Sequence, residues 1–347
     1  MSIFYILLAI ISGLCMAIQS PVNATLSRHA GHLQATTVSF GGGALILGIL
    51  MLIIGTGDLS KLADAQWWQF LGGLYGIYIV LVITYGIPRL GAALTSTLLT
   101  LGNLMTAAVL DTFGLMGLAK VDLEPARVAG ILIVLTGVIL VYIGKRKQEQ
   151  GRKSGEGAAK VILMLALGGV AGAIQAPTNN GLAGHVGTVE ASFVSFTVGF
   201  LVILLIALIA TKGHLLKDKK EGIEGWMLTG GIYGGAVVFI NLTAIAVLGS
   251  TVLQICTMLG QLSGGMAIDS FGLLRTNKIK ANSWRWAGML IIAVMFYGVF
   301  TLPQAFAPNY GIFAAFRLIA GFGVGSCIPI VTTCFSELIP SKNRGAF

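Results

Sequence analysis

The sequence predicts an all-α polytopic membrane protein, made of two inverted five-helix repeats plus one extra C-terminal helix. Three observations support this fold class. First, 56% of the 347 residues are hydrophobic and 10% are charged, whereas a typical soluble domain carries roughly 25% charged residues. Second, the chain contains eleven apolar runs long enough to approach or cross a bilayer. Third, the second half of the chain repeats the residue pattern of the first half.

The apolar runs locate the expected helices. Hydrocarbon offers the backbone no hydrogen-bond partners, so runs of this length are expected to be helical. The sequence lacks the alternating segments, about ten residues long, that are typical of outer-membrane barrel strands. The expected spans are 3–20, 35–55, 67–87, 90–110, 127–144, 161–181, 190–211, 226–247, 249–268, 285–302 and 310–335.

The positive charges indicate how the chain is oriented. When the spans are placed in order, 18 of the 22 Lys and Arg residues fall on one side, six of them in the segment 145–160. Because cytoplasmic loops carry an excess of Lys and Arg, the N-terminus is expected outside and the C-terminus in the cytoplasm. The net charge of +9 is therefore attributed to basic loops that orient the protein in a lipid bilayer. No nucleic-acid partner is expected.

The internal repeat is read directly from the sequence. Gly13–Gly43 aligns with Gly169–Gly199 at a constant offset of 156, and fourteen of those 31 positions are identical. Further along the chain the offset becomes 158, as in Gly72-Gly73-x-Tyr75-Gly76 and its counterpart 230–234. Each copy holds five spans, and because five is odd the second copy enters the membrane from the opposite face. Many secondary transporters use such inverted repeats for alternating access.

The repeats define the expected domain organisation. A polar, basic segment separates the two copies and is expected to be a cytoplasmic linker. The expected domains are a first five-span repeat at 1–144, the linker at 145–160, a second, inverted five-span repeat at 161–300, and an extra span within 301–347.

The motifs in both repeats resemble a known family. Gln19-x-Pro21-x-Asn23, followed by Asp111-x-Phe-Gly and a glycine in the last span of the repeat, resembles the drug/metabolite transporter superfamily. The likeness is to its five-span YdcZ-like branch, here as a fused tandem similar in design to EamA-type proteins. It covers about 1–300. It implies a ten-helix carrier of small metabolites or drug-like compounds in a bacterial inner membrane.

The C-terminal segment resembles a different family. Arg317-Leu-Ile-Ala-Gly321, followed by Glu337 and by Arg344-Gly345, is similar to the fourth span and following loop of a major facilitator of the sugar-porter type. A chimeric or fused gene with a join near 300–305 is therefore expected. In that interpretation the tail is an addition to the carrier, and its motif does not imply sugar transport.

The first span of each repeat carries candidate pathway residues. A glutamine and an asparagine four residues apart share one helix face. A proline between them removes a backbone donor and is expected to kink or break the helix. Broken helices at a repeat interface form transporter sites, whereas hydrogen bonding between helices explains the same amides equally well. These residues are Gln19, Pro21 and Asn23 in the first repeat and Gln175, Pro177 and Asn179 in the second.

Further candidates lie in later spans. Asn103 and its repeat counterpart Gln261 are amides inside apolar runs, where they either line a pathway or join helices. Tyr75 and Tyr233 lie beside glycine pairs, and such aromatic surfaces bind cations or flat organic solutes. Asn241 is an amide without a repeat counterpart. For the glycines themselves, close helix crossing is the favoured interpretation.

Three carboxylates are candidates for an ion site or gate. Asp111 and Asp269 end equivalent spans, so inverted repeats place them at opposite membrane faces. Glu190 begins a span whose counterpart in the first repeat begins near Gln34. Each has the alternative role of capping or ending a helix. Small multidrug-resistance relatives carry a glutamate in the first helix, where this chain has Gln19, so proton exchange by that route is not expected.

These observations predict a secondary transporter that exports small metabolites or drug-like compounds by alternating access. The sequence has no nucleotide-binding motif and no constellation of catalytic residues, so no cofactor, no metal and no enzymatic activity are expected. The expected partners are the lipid bilayer, a small-molecule substrate and a second copy in a homodimer. Two alternatives stay open, a membrane structural or assembly protein without transport activity, and a chimeric gene product whose tail has no function.

Overall fold

All regular secondary structure in the described part of the chain is helical, as the sequence predicts for an all-α membrane protein. The computed structural model describes residues 2–90, 92–120, 158–213 and 222–275, together with residues 132, 136 and 140. The expected spans at 127–144, 285–302 and 310–335, most of the linker 145–160 and the segment 301–347 lie outside the described residues, apart from the three isolated positions. Ser2–Asp122 and Gly155–Lys278 form one compact unit.

Seven α-helices are present in the described residues of this unit. Within the described residues, six helical segments are long and apolar enough to cross a membrane. Short 3₁₀ turns precede or follow several helices, at Leu59–Asp64, Trp67–Leu71, Leu115–Gly117, Gly225–Thr229 and Leu273–Arg275. The helices are α1 (Ser2–Ala30), α2 (His32–Ile54), α3 (Gly72–Leu90), α4 (Ala92–Phe113), α5 (Ala158–Val186), α6 (Thr188–Ala210) and α7 (Gly230–Phe271).

Helix α7 is two helices joined at one glycine. Gly249 has φ 70° and ψ 170°, outside the helical region, and a glycine adopts this φ without the steric cost that other residues incur. The two halves correspond to the spans expected at 226–247 and 249–268. The backbone N–H of Ser250, at the start of the second half, donates to Oδ1 of Asp111 at 3.2 Å.

Both prolines lie inside continuous helices. Pro21 is within α1 and Pro177 within α5, and each helix runs for 29 residues. The prediction of a broken helix at these positions is wrong, because each helix continues past its proline for more than two turns. The proline removes one backbone hydrogen bond, and the other hydrogen bonds of the helix maintain it; a kink at the proline stays a prediction. Gly249 marks the boundary between two spans that the sequence already separates.

Glycines allow the helices to cross at very short distances. An added Cβ at Gly13 of α1 would overlap the carbonyl oxygen of Thr257 in α7, and one at Gly260 would overlap that of Ile10. The equivalent crossing of α5 with α4 is made by Gly169 and Gly102, whose added Cβ atoms would overlap carbonyls in the same way. The structure thus supports the interpretation of the glycines as helix-crossing positions.

A second pair of crossings follows the same rule. Gly231 of α7 lies against the α2 backbone at Gly43, and Gly73 of α3 lies against the α6 backbone at Gly199. Gly231 and Gly73 are repeat counterparts, as are Gly43 and Gly199. Equivalent residues of the two halves therefore make equivalent helix contacts.

Candidate functional site

A cavity of about 100 Å³ lies among α1 to α7. Its 25 described lining residues include the hydroxyl side chains Ser39, Thr100 and Thr257, and the aromatic rings of Phe40 and Phe196. The remaining polar lining consists of carboxamides. The six carboxamide side chains are Gln19, Asn103, Gln175, Asn241, Gln254 and Gln261.

Repeat counterparts meet in this cavity. Several pairs of equivalent residues contribute to the lining from both halves of the unit, among them two amide pairs, one phenylalanine pair and one glycine pair. Inverted-repeat transporters bind their solute at the interface between repeats, so this arrangement marks the cavity as the candidate site. The pairs are Gln19 with Gln175, Phe40 with Phe196, Asn103 with Gln261, and Gly76 with Gly234.

The two first-helix glutamines reach the cavity from equivalent positions. Nε2 of Gln175 donates to the carbonyl oxygen of Gly72 at 3.1 Å. An added Cβ at Gly76 would lie 2.9 Å from the same nitrogen, and one at Gly234 would overlap Nε2 of Gln19. Glycine at these two positions therefore leaves the space that each glutamine amide occupies.

Phe40 and Phe196 stack on each other at the cavity wall. Their ring centroids are 5.0 Å apart and the rings are tilted by 31°. Both residues are almost fully buried, with 3% and 4% of their surface exposed. Gly199 lies against the Phe40 ring and Gly43 lies against the Phe196 ring, so the absence of a side chain at these glycines leaves space for the two rings.

The amides at the α4–α7 side include groups without a partner. Oδ1 of Asn103 and Oγ1 of Thr257 are buried and have no hydrogen bond within the described structure. Gln261 and Gln254 are also almost fully buried, with 7% and 9% of their surface exposed. Asn241 differs, because its Oδ1 accepts a hydrogen bond from Ser12 Oγ at 2.7 Å.

The asparagines of the first helices lie outside the cavity lining. Nδ2 of Asn23 donates to Ser39 Oγ at 3.2 Å, which links α1 to α2. An added Cβ at Gly230 would overlap Oδ1 of Asn23, and one at Gly72 would overlap Oδ1 of Asn179. Asn23 thus makes the hydrogen bond between helices that the alternative interpretation of these amides expects. Asn179 packs against α3, and its Oδ1 has no hydrogen-bond partner within the described structure.

The two candidate tyrosines are also placed away from the cavity lining. Tyr75 on α3 and Tyr233 on α7 are half-buried, and neither is among the residues that line the cavity. The glycines beside them, Gly76 and Gly234, do line it. Adjacent residues point in different directions around a helix, so each glycine faces the cavity while the tyrosine before it does not.

Two of the three carboxylates have structural partners. Asp111, 3% exposed, accepts from the Ser250 N–H at the α7 break, where a carboxylate stabilises the start of a helix. Glu190, also 3% exposed, accepts from the Gly57 N–H at 2.7 Å and so joins the loop after α2 to the start of α6. Neither lines the cavity. Asp269 lies near the end of α7, and its side chain is outside the described residues.

The loop after α2 is ordered by a second carboxylate. Asp58 accepts hydrogen bonds from the Ser60 N–H at 2.9 Å and from the Ser60 hydroxyl at 2.7 Å. These hydrogen bonds stabilise the ionised form, so the pKa of Asp58 lies below its ordinary value. The Asp58 N–H in turn donates to the Val186 carbonyl oxygen at 3.1 Å, next to Glu190.

Several lining residues were not predicted from the sequence. Phe40 and Ser39 belong to the Val-Ser-Phe motif that recurs at 194–196, and this identity between the repeats was a usable signal. Gln254 has Ser96 as its counterpart, so the repeat gave no reason to select it. Its only signal was an amide within an apolar run. In the described structure, no group of three His, Cys, Asp or Glu side chains is arranged to hold a metal ion.

Long apolar helices around a polar internal cavity are the architecture of a membrane transporter, and the comparison with known families agrees. A family model described as "Putative inner membrane exporter, YdcZ" matches residues 4–140 and 160–300. The match covers most of the chain and falls in two consecutive copies. The chain therefore belongs to the YdcZ family of drug/metabolite transporters, as the motifs in both repeats predict, and it is membrane-embedded.

Curated relatives match the C-terminal region and are transporters or vesicle proteins. The gentisate transporter of Corynebacterium glutamicum is 45% identical over 58 residues, covering 17% of this chain and 13% of that protein. The niacin transporter NiaP of Acinetobacter baylyi is 43% identical over 54 residues, covering 16% and 12%. Synaptic vesicle glycoprotein 2C of Mus musculus is 38% identical over 56 residues, covering 16% and 8%.

The chain spans no more than 13% of the length of these relatives. The short matches confirm that the C-terminal segment resembles a different transporter family from the rest of the chain. A solved protein chain superposes on 96% of this chain with a TM-score of 0.44 and 19% identity.

Proposed function

We propose that this protein exports small metabolites or drug-like compounds across the bacterial inner membrane, by alternating access between two inverted five-span repeats. The observation that carries the proposal is the cavity, which is lined by equivalent residues from both halves of the compact unit. A binding site at a repeat interface is the arrangement that alternating access requires. The family match supports the direction of transport, because the family is described as an exporter.

The paired contacts suggest how the cycle works. The crossings at Gly13–Gly260 and Gly169–Gly102 place backbone against backbone, so the helices can tilt there without side chains interlocking. In the proposed cycle, one crossing loosens while its counterpart tightens. Phe40 and Phe196, one from each half, contact each other in the lining of the cavity.

The domain organisation and orientation belong to this proposal. The repeats are assigned to 1–144 and 161–300, with the basic linker 145–160 in the cytoplasm and the N-terminus outside. The asymmetric distribution of Lys and Arg supports this orientation. The segment 301–347 is proposed to be an addition to the carrier. The solutes named for the relatives of this segment are not transferred to the cavity, because these three relatives match no more than 17% of this chain.

Solute exchange by the purified full-length protein in liposomes tests the proposal. Protein-containing vesicles are loaded with an unlabelled solute and placed in a solution of the labelled form. They should accumulate more label than protein-free vesicles, which give the background. Gly76→Leu should reduce exchange about tenfold or more, since an added side chain there meets the Gln175 amide and Phe40. Gly184→Leu is the matched control, because nothing lies within 4 Å of an added Cβ at Gly184.

The outcome separates transport from the alternative function. Protein-dependent exchange that Gly76→Leu removes and Gly184→Leu retains supports a carrier. If no solute among labelled cations, amino acids, amides and sugars exchanges, and a membrane protein co-purifies in equal amount, the chain is a structural or assembly protein instead.

A further inference from the structure

The cavity offers many hydrogen-bonding groups and no charge in its described lining. None of the 25 lining residues is Asp, Glu, Lys, Arg or His. Each of the six carboxamides presents both donors and an acceptor. A charged solute would lose its hydration there without meeting an opposite charge, which is costly in a low-dielectric site. A neutral polar solute loses less hydration and finds matching groups.

Several of these groups are available to a ligand. Oδ1 of Asn103 and Oγ1 of Thr257 are buried without a partner among the described residues. The side chains of Gln19, Gln254 and Gln261 make no hydrogen bond within the described structure. Buried polar groups in native proteins are normally paired with protein or water. A solute that carries its own donors and acceptors, as water does, can therefore complete these groups.

The aromatic part of the lining does not compensate for a missing carboxylate. Gly172 and Gly234 leave room for the Asn103 and Gln19 amides, which lie close to where an added Cβ would be. The Phe40 and Phe196 rings pack on each other, with centroids 5.0 Å apart. Since each ring already packs on the other, the two rings offer less surface for the cation–π contact that would replace a carboxylate.

We infer that the cavity binds a small, uncharged solute that carries a carboxamide or a cyclic amide. An Asn or Gln side chain pairs with the adjacent donor and acceptor of such a group, as it does with the edge of adenine. This inference rests on the proposed function, because it takes the cavity to be the transport site.

Solutes that differ only in charge test the inference. Exchange by the full-length protein is measured with nicotinamide, with nicotinate as its anionic analogue, and with 1-methylnicotinamide as its cationic analogue. Uracil and orotate form a second neutral and anionic pair. Protein-dependent exchange of each neutral solute should exceed that of its charged analogues by about tenfold, equivalent to about 1.4 kcal/mol.

The possible results distinguish the two proposals. Exchange of a charged analogue that equals or exceeds that of its neutral partner overturns the inference about substrate class and leaves transport standing. Absence of exchange for every solute, charged or neutral, overturns the proposed function together with the inference.

A charge introduced into the cavity gives a second test. Asn103→Asp keeps the side-chain shape and replaces an amide by a carboxylate beside the candidate site. The ratio of nicotinamide to 1-methylnicotinamide exchange should fall about tenfold, since a cation now finds a partner. Gln254→Glu on α7 repeats the test if Asn103→Asp does not fold. Gln34→Glu, outside the cavity lining, is the control and should leave the ratio unchanged. An unchanged ratio in the cavity variants overturns the inference.

Discussion

Amides carry two different roles in this protein, and their surroundings decide which. Gln19 and Gln175 extend into the cavity, while Asn23 and Asn179, one turn away on the same helices, lie against glycines of neighbouring helices. The spacing of four residues predicts a shared face. It does not predict that the glutamine of each pair faces the cavity while the asparagine faces a neighbouring helix. That difference depends on where the backbone of the neighbouring helix approaches most closely.

At the residue scale, we predict that Gln19→Ala and Gln175→Ala reduce solute exchange about tenfold without unfolding the protein. Gln175 donates one hydrogen bond, to Gly72, and a typical intramolecular hydrogen bond contributes about 0.5–1.5 kcal/mol to stability. The loss of a solute contact should therefore exceed the loss of folded protein. Exchange rates in liposomes and melting temperatures in detergent measure the two effects.

Gln34→Ala is the control for this prediction, since it removes an amide of the same size from outside the cavity lining. A large fall in melting temperature for both Gln19→Ala and Gln175→Ala would instead support interhelical hydrogen bonding as their role.

At the scale of the helices, glycines determine how closely the elements pack. Gly13, Gly102, Gly169 and Gly260 place two pairs of helix backbones in contact. Gly249 has a separate role, because its positive φ divides α7 into two halves. The prolines, which the sequence suggested as the interruptions, stay within continuous helices.

We predict that Gly169→Ala lowers the stability of the protein by about 1–3 kcal/mol, the usual cost of overpacking. Its added methyl group would overlap the Leu99 carbonyl oxygen and lie 2.7 Å from the Asn103 backbone nitrogen. Gly184→Ala on the same helix meets nothing within 4 Å and should be neutral or slightly stabilising, because alanine favours helix. Thermal unfolding of both variants in one detergent provides the comparison, and equal melting temperatures would contradict the prediction.

At the scale of the whole molecule, the proposed odd number of spans in each repeat has the largest consequence. In the proposal it turns the second copy over relative to the first, so that loops with equal positions in the repeats lie on opposite faces of the membrane. The linker 145–160 and the loop after α2 are separated by three proposed spans, so the proposal puts them on opposite sides. The excess of Lys and Arg supports a cytoplasmic linker.

We predict that a cysteine introduced at Ser154 is protected from a membrane-impermeant thiol reagent in intact cells. One introduced at Ser60, in the exposed turn Leu59–Asp64, should react. Both are made in a chain whose Cys15, Cys256, Cys327 and Cys334 are replaced by serine. Permeabilised cells provide the control, in which both positions should react. Labelling of Ser154→Cys but not of Ser60→Cys in intact cells would reverse the orientation.

The sequence alone determined the membrane class, the helical spans in the described region, the family and the two copies of its motif, because hydrophobic run length and motif identity are local properties. It also selected four of the six carboxamides that line the cavity, because these are polar residues at equivalent positions of the apolar runs; their role as pathway residues stays a prediction. The tertiary structure decided which amides line the cavity, placed Phe40, Phe196 and Gln254 in its wall, and showed that α1 and α5 continue across their prolines. These features depend on which helix backbones come into contact, and the residue pattern of a single helix does not specify its partner helix.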